Sequence, residues 1–412
     1  MDEKKRIAFL CHPYHRGGVT RWMADAAISF ANSGHEVYFM TLEPVQPFFS
    51  GIGRETMLAL LAKEKNDIHI IKLNIGRLFE FGTPEYRAFI YKRLFLNLPL
   101  GTPVILSDDS TVWEAAVSLH TSFPIVGVLH ADEEYYYQLG VKYFDRLSAL
   151  TCVSNRIFKK ITERLHTTDL SHIYTIPCGI NLPPVNASVS SGDLLQLIYV
   201  GRITNYQKRV GDLVKIVALL LKNKVHFHLR IVGDGGDEKT VLQQKFKEEN
   251  LDSYVTFCGW LSGTEVTNYL RSSDLLVLTS DFEGTPVAMM EALASGCGIV
   301  GTRVSGIEDY ENEPLAKKCF AVYEVGNIET AVTKIINLSA IPVLLRRKSA
   351  REIAETNFSM HVCCDKYLKV MDGIPLRIYI TPTFSLSFVE NIHSRLISLV
   401  RFLKVKYSKI SL

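Results

Sequence analysis

Two carboxylates eight positions apart, Glu283 and Glu291, bracket the turn Gly284, Thr285, Pro286 in the stretch DFEGTPVAMMEALASG. Acids on both sides of a helix start can accept hydrogen bonds from hydroxyls at either end of a ligand. The ligand's anionic part would lie at the turn, because the first N–H groups of a helix are unpaired and carry the positive end of its dipole. Thr285 has an N-cap side chain and Pro286 suits a first helical position, so the sequence predicts a helix from Pro286. Gly296 would stop it through a left-handed C-terminal cap. At a rise of ~1.5 Å per residue, Glu291 lies roughly 7 to 8 Å along that helix, about the distance from a diphosphate to its ribose. Spacing alone fits equally well two solvated acids near a helix N-terminus, where negative charge is favourable.

The stretch VGRITNYQKR adds Arg202, directly after Gly201, and then Lys208 and Arg209. Three cations would then converge on one cleft, where a guanidinium fork and an ammonium are the usual means of neutralising a diphosphate. The plain alternative is a solvated basic loop. Gly17 and Gly18, between the first apolar run and the first helical pattern, would let backbone approach a phosphate closely. No Gly-Lys-Ser/Thr follows them, so they form no Walker loop. The run VGDGGDE from Val232 carries Glu238 at the third glycine position of a dinucleotide fingerprint, which argues against a nicotinamide enzyme. Each glycine pair by itself also fits a tight strand-to-helix turn.

These residues need strands and helices to hold them. Short apolar runs (IAFL, EVYFMTL, PVILS, PIVGVLH) alternate with helical patterns, among them Val19 to about Ser33 and Val112 to about His120. That is the βαβ rhythm of a parallel sheet covered on both faces. The region from 43 to about 98 is mixed. After LPPVNASVSSGD, which reads as a linker, the rhythm restarts with LLQLIYVG, FHLRIVGDGG, VTFCG and DLLVLTS. The expected fold is α/β, with two doubly wound Rossmann-like domains facing an interdomain cleft. Residues 1–186 form the first, 187–371 the second, and 372–412 a basic amphipathic tail. Ligands of such sheets bind beyond the carboxyl ends of the strands, which places residues 281–285 and 201–209 at the cleft.

At 412 residues the chain suits two domains, and 47% hydrophobic with 22% charged residues is an ordinary globular composition. With 46 basic and 43 acidic residues, no global field attracts nucleic acid. The eight cysteines show neither C-x-x-C nor metal-ligand spacing, which indicates thiols in a reducing compartment. MDEKKRIAFLC has too brief an apolar run for an export signal, and no stretch reaches the ~18 to 20 apolar residues of a membrane span. A cytoplasmic protein is expected. Phe388, Ile392, Leu396 and Leu403 with Arg395, Arg401 and Lys404 give the tail one greasy and one positive face. It would either lie on the anionic inner face of the membrane or dock on the protein.

Taken together, the ordered motifs resemble the family 4 glycosyltransferases, retaining enzymes of GT-B fold that use nucleotide-sugar donors. The likeness runs from about residue 5 to 371 and is most specific at Glu283 to Glu291, which matches an E-x7-E motif. Gly201 and Arg202 with Lys208, the Gly17-Gly18 loop, VGDG from Val232 and TIPCGIN from Thr175 also fit. The resemblance implies that Arg202 and Lys208 hold the donor diphosphate and offset the charge growing on it. Glu283 would contact donor-sugar hydroxyls, with Gly284, Thr285 and Pro286 near sugar and phosphate, and Glu291 the ribose. Gly17 and Gly18 would close over the phosphates, and His130 would stand near the reacting sugar, although a lone histidine is more often structural. Same-face attack with the departing phosphate as base is implied, with no protein nucleophile, no metal site and activity without a divalent ion. The donor would be a UDP-sugar sooner than a GDP-sugar, and the acceptor a glycan or lipid-linked hydroxyl in surface polysaccharide synthesis. A nucleotide-sugar epimerase and a non-catalytic nucleotide-sugar-binding protein are the alternatives. Charge reversal at Lys208 is expected to stop transfer and leave the fold intact. Gly298 replaces the family's usual proline and Ser305 a glycine, departures expected to alter the rim of the donor pocket.

Overall fold

The computed structural model describes residues 4–12, 18–44, 68–75, 79–185 and 194–375, together with 380, 397, 400 and 401. Gly17, residues 186–193 on either side of the expected domain boundary, and nearly all of the tail beyond 375 lie outside the described residues.

Strands β1 (Arg6–Cys11), β2 (Glu36–Pro44), β3 (Ile68–Ile75), β4 (Val104–Leu106), β5 (Ile125–Leu129), β6 (Ala149–Cys152) and β7 (Ile173–Thr175) form one sheet in the order β3-β2-β1-β4-β5-β6-β7. A second sheet, ordered β10-β9-β8-β11-β12-β13, contains β8 (Leu195–Val200), β9 (Phe227–Val232), β10 (Val255–Gly259), β11 (Leu275–Leu278), β12 (Gly298–Thr302) and β13 (Phe320–Tyr323). Neighbouring strands run parallel throughout both sheets. The two doubly wound Rossmann-like units expected from the alternating pattern are present. Central strands such as β5 and β11 are buried along their whole length, as continuous apolar runs covered on both faces require. β3 was hidden in the mixed region because it is an edge strand, with only Ile71 and Ile75 buried.

Strand order reverses between β1 and β4 in the first sheet and between β8 and β11 in the second. At such a switch point the connections leave in opposite directions and open a crevice beyond the carboxyl ends. The loops after β8 and β11 carry Arg202, Lys208 and Glu283, so topology gathers what lies far apart in sequence.

The chain crosses between the sheets twice. Ile180 donates to the Phe358 carbonyl and accepts from Met360, both at 2.8 Å, which ties the two crossings together. The helix Met360–Gly373 then buries Met360, Cys363, Cys364, Tyr367, Val370 and Met371 in the core of the first sheet. A division by sequence order at 186/187 and 371 therefore does not follow the packing of this helix. Among the described residues no single helix is long and apolar enough to cross a membrane.

Gly298 does not shape a pocket rim, contrary to the sequence expectation. It is fully buried in β12, where an added Cβ would lie 2.8 Å from Leu275 Cδ2 and 3.2 Å from Arg346 Cδ. Its N–H donates to the Asp274 carbonyl at 2.9 Å, a bond that proline cannot make. Arg346 fills the adjoining space. Only 1% exposed, it donates to the carbonyls of Leu338 and Ile341 at 3.0 and 3.2 Å and to Asp274 Oδ1 at 2.5 Å. Replacing Arg346 by Ala strands a largely buried Asp274 at the start of β11. We expect urea denaturation of Arg346→Ala to show a loss of about 3–5 kcal/mol in unfolding free energy.

Candidate active site

A cleft of about 980 Å³ lies between the two sheets and is lined by residues of both. Gly18 and His130 face it from the first domain, and Arg202, Lys208, Glu283, Gly284, Thr285, Pro286 and Glu291 from the second. These nine residues assigned to the site from the sequence are thus brought to one cavity, while Gly17 lies outside the described residues.

Arg209 is the exception among the expected cations. Its Nε donates to Asp212 Oδ2 at 2.8 Å and its Nη1 reaches Asp281 at 3.4 Å, and it does not line the cleft. The cause is local backbone geometry. The single helical turn Asn205–Lys208 ends with Arg209 in the left-handed conformation, φ 46°, which turns its side chain away from that of Lys208.

The helix of the opening motif spans Val287–Ala294, with Pro286 itself in the N-cap position at φ −64° and ψ 121°. Thr285 makes no cap. Its hydroxyl instead donates to the Val153 carbonyl of the opposite domain at 2.6 Å, and a hydroxyl engaged there is lost to the helix N-terminus. Gly296 stops the helix as expected, with φ 78°. The adjoining Gly284 is required by close approach, since a Cβ there would lie 1.8 Å from the His130 carbonyl oxygen. Asp132 N–H donates to the Glu283 carbonyl at 3.0 Å in the same contact.

Glu283 is 6% exposed and ion-paired with Lys208, whose side chain is 15% exposed. Ser280 Oγ donates to Glu283 Oε1 at 2.6 Å, and the Ser280 carbonyl accepts from Thr302 Oγ1 at 2.7 Å. The Lys208 carbonyl accepts from Thr279 Oγ1 at 2.5 Å. Arg202 is exposed on the cleft wall and donates to Gln207 Oε1 at 2.7 Å. Its loop is braced by Glu238, which accepts from Thr204 Oγ1 at 2.9 Å and from Asn205 N–H at 2.5 Å. The residue that spoils the dinucleotide fingerprint therefore caps the turn bearing Lys208.

Burial holds the imidazole of His130 neutral, with its pKa down to about 4, and Nε2 has no partner among the described residues. Trp22 packs edge-on against the ring at 5.3 Å. A neutral imidazole in this position can give or take a hydrogen bond without adding another cation to the cleft. Glu291 is pushed up to about 7, chiefly by burial and further by Asp25, while Arg21 opposes the shift. Arg21 and Asp25 are paired at 2.7 Å and line the cleft opposite Glu291. Both were missed in the sequence. They stand one and two turns after Gly18, a spacing that would have placed them on its face of the helix.

Ser305, expected at the pocket rim, forms a hydroxyl pair with Ser154 of the other domain at 2.6 Å and does not line the cleft. Beside it, Asp309 Oδ2 accepts from Asn155 N–H at 2.8 Å, and Arg156 is ion-paired with Glu308. The domains therefore meet through polar contacts on one flank of the cavity. Among the described residues no group of His, Cys, Asp or Glu is disposed to hold a metal ion.

Residues 195–340 match the family described as "Glycosyl transferases group 1". The chain is similar to the amylovoran biosynthesis glycosyltransferase AmsK of Erwinia amylovora, 26% identical over 44% of this chain and 45% of that protein. It is also similar to the UDP-Gal:alpha-D-GlcNAc-diphosphoundecaprenol alpha-1,3-galactosyltransferase of Escherichia coli, 23% identical over 78% of this chain and 93% of that one. Its fold superposes on Anabaena Alr3699/HepE in complex with UDP and glucose with a TM-score of 0.66 at 14% identity, covering 90% of this chain and 100% of the other.

The raised pKa of Glu291 has a direct consequence for stability. The unfolded chain loses this proton near 4.5, whereas the folded one keeps it to about 7, so the cost of burying the carboxylate grows between those values and is full above them. Glu291→Gln removes that cost. Urea titrations are expected to show the variant gaining stability relative to the parent as pH rises from 4.5 to 7, with a constant difference above pH 7.

Proposed function

We propose that this GT-B glycosyltransferase moves a hexose from a nucleoside-diphosphate sugar to a hydroxyl of a glycan or lipid-linked acceptor, with retention at the anomeric carbon. The observation that carries this reading is the buried Lys208–Glu283 pair at the start of the Val287–Ala294 helix, on the wall of the interdomain cleft. An ammonium has three donors, so Lys208 can hold Glu283 and still present N–H groups to a phosphate oxygen. Glu283 keeps a second oxygen for a sugar hydroxyl. The pair thus has the chemistry needed at the junction between an activated saccharide and its diphosphate.

In this mechanism Arg202, Lys208 and the first N–H groups of the helix receive the diphosphate. The bond from the anomeric carbon to the phosphate oxygen breaks, and the charge left on the diphosphate grows against those preorganised donors. The acceptor oxygen bonds to the anomeric carbon on the face the diphosphate leaves, and its proton passes to the departing phosphate oxygen. Glu283 and neutral His130 orient the sugar through its hydroxyls. Glu291 receives the ribose, and Gly18 lets the first domain's backbone close on the phosphates. The two cations and the helix dipole take the place of a divalent ion.

A UDP-sugar is the favoured donor. The Escherichia coli relative is named for UDP-Gal and the Anabaena structure contains UDP. A role in surface polysaccharide synthesis is supported by the amylovoran and diphosphoundecaprenol relatives. Eight cysteines without C-x-x-C or metal-ligand spacing support a reducing, cytoplasmic setting.

The structure also changes the design of the decisive variant. Reversing Lys208 to Glu would press two carboxylates together in a buried site and destabilise the fold, so the neutral Lys208→Met is the informative change. With a panel of nucleotide sugars and acceptors, Lys208→Met should lose about 10²- to 10³-fold in kcat, and the parent enzyme should keep its activity in excess chelator. Near-parental turnover by Lys208→Met would refute the assigned role, and abolition by chelator would refute the metal-independent mechanism.

A further inference from the structure

The mouth of the cleft carries aromatic surface that the transfer mechanism does not use. Tyr206 is 80% exposed and packs edge-to-face against Phe282, with ring centroids 5.5 Å apart at 71°. On the first domain Tyr135 is 43% exposed and meets Tyr136, which lines the cleft, at 5.4 Å and 81°. We propose that these two pairs form a second saccharide subsite, a lip that takes the rings of a neutral oligosaccharide acceptor behind its reacting unit. The proposal rests on the transferase reading and extends it to the class of acceptor.

Both pairs are continuous with the cleft. Phe282 precedes Glu283, and Tyr206 precedes Gln207, which lines the cavity. Gln207 fixes the lip by donating to the Phe282 carbonyl at 3.2 Å and by accepting from Asp281 N–H at 2.8 Å. Across the opening, the hydroxyls of Tyr135 and Tyr136 donate to the carbonyl and Oδ2 of Asp108 at 2.9 and 3.2 Å. The two loops meet where Asp132 N–H donates to the Glu283 carbonyl at 3.0 Å. The aromatics therefore flank the sugar end of the proposed donor site and not the ribose end at Glu291.

Charge favours an uncharged occupant. Arg209 is occupied by Asp212 and Asp281, Lys160 by Asp132 and Arg164 by Glu134, so these three cations are already matched, and Asp108 at the tyrosine pair disfavours an anion. Rigid rings lose little entropy on contact and offer faces to the apolar C–H side of a pyranose. Arg202, which donates to the lip residue Gln207 and forms no ion pair among the described residues, is taken by the donor diphosphate in the proposed mechanism, so a chain of phosphates or uronates gains no cation from it.

The test measures binding of the full chain to an array of neutral mono- to pentasaccharides and their carboxylated or sulfated counterparts, together with UDP release from UDP-sugars with the terminal monosaccharides as acceptors. The parent protein should bind at least one neutral tetrasaccharide about tenfold more tightly than its terminal monosaccharide. Tyr206→Ala should erase that difference, Tyr206→Phe should keep it, and both should release UDP at the parental rate. The proposal is overturned if Tyr206→Ala binds the array as the parent does, if chain length confers no advantage, or if the anionic chains bind best. Chain-length preference without UDP release from any donor would instead overturn the transferase reading and leave the lip standing.

Discussion

Glu283 is buried at the meeting of two domains, and a carboxylate in that position needs a counter-charge and hydrogen-bond donors to exist there. Lys208 and Ser280 supply them. Each is held in turn by a threonine hydroxyl, Thr279 on the Lys208 carbonyl and Thr302 on the Ser280 carbonyl. The carboxylate therefore sits in a polar network that fixes one orientation, and the helix N-terminus four residues later inherits its place from that network. Preorganised charge of this kind is what an electrostatically driven transfer requires.

The same loop carries the contact between domains. Gly284 lies under the His130 carbonyl, Glu283 accepts from Asp132, and Thr285 donates to Val153. Residues of the two domains are thus coupled at the cavity itself. Two further flanking links, Ser154 with Ser305 and Arg156 with Glu308, cross the same boundary. The ion pair is half-buried and the serine pair fully buried, so this boundary is polar, as interfaces between domains of one chain commonly are.

Much of the site was legible because its signals are local. A strand-ending glycine followed by Arg202 and Lys208, and two acids around a proline turn, can be placed at strand ends from periodicity alone. The strand order, which the alternating pattern does not give, places the switch points that bring those ends together. Less local features escaped. Thr285 resembles a cap in sequence, yet a carbonyl from residue 153 competes for its hydroxyl. Arg209 resembles a third cleft cation until its left-handed backbone and Asp212 divert it. Gly298 resembles a change at the rim, although the side chain of Arg346 occupies the space a larger residue would need.

The sequence by itself determined the two α/β sheets, the cleft between them and several of the residues that line it, because hydrophobic period and turn chemistry act over a few neighbours. Tertiary structure decided which partner each polar group took. Glu283 with Lys208, Glu291 near Asp25 and Arg21, and Tyr206 against Phe282 are contacts across 75, 270 and 76 positions at their widest. Such pairings, and the burial that pushes Glu291 up and His130 down, depend on distances and local dielectric that exist only once the chain has folded.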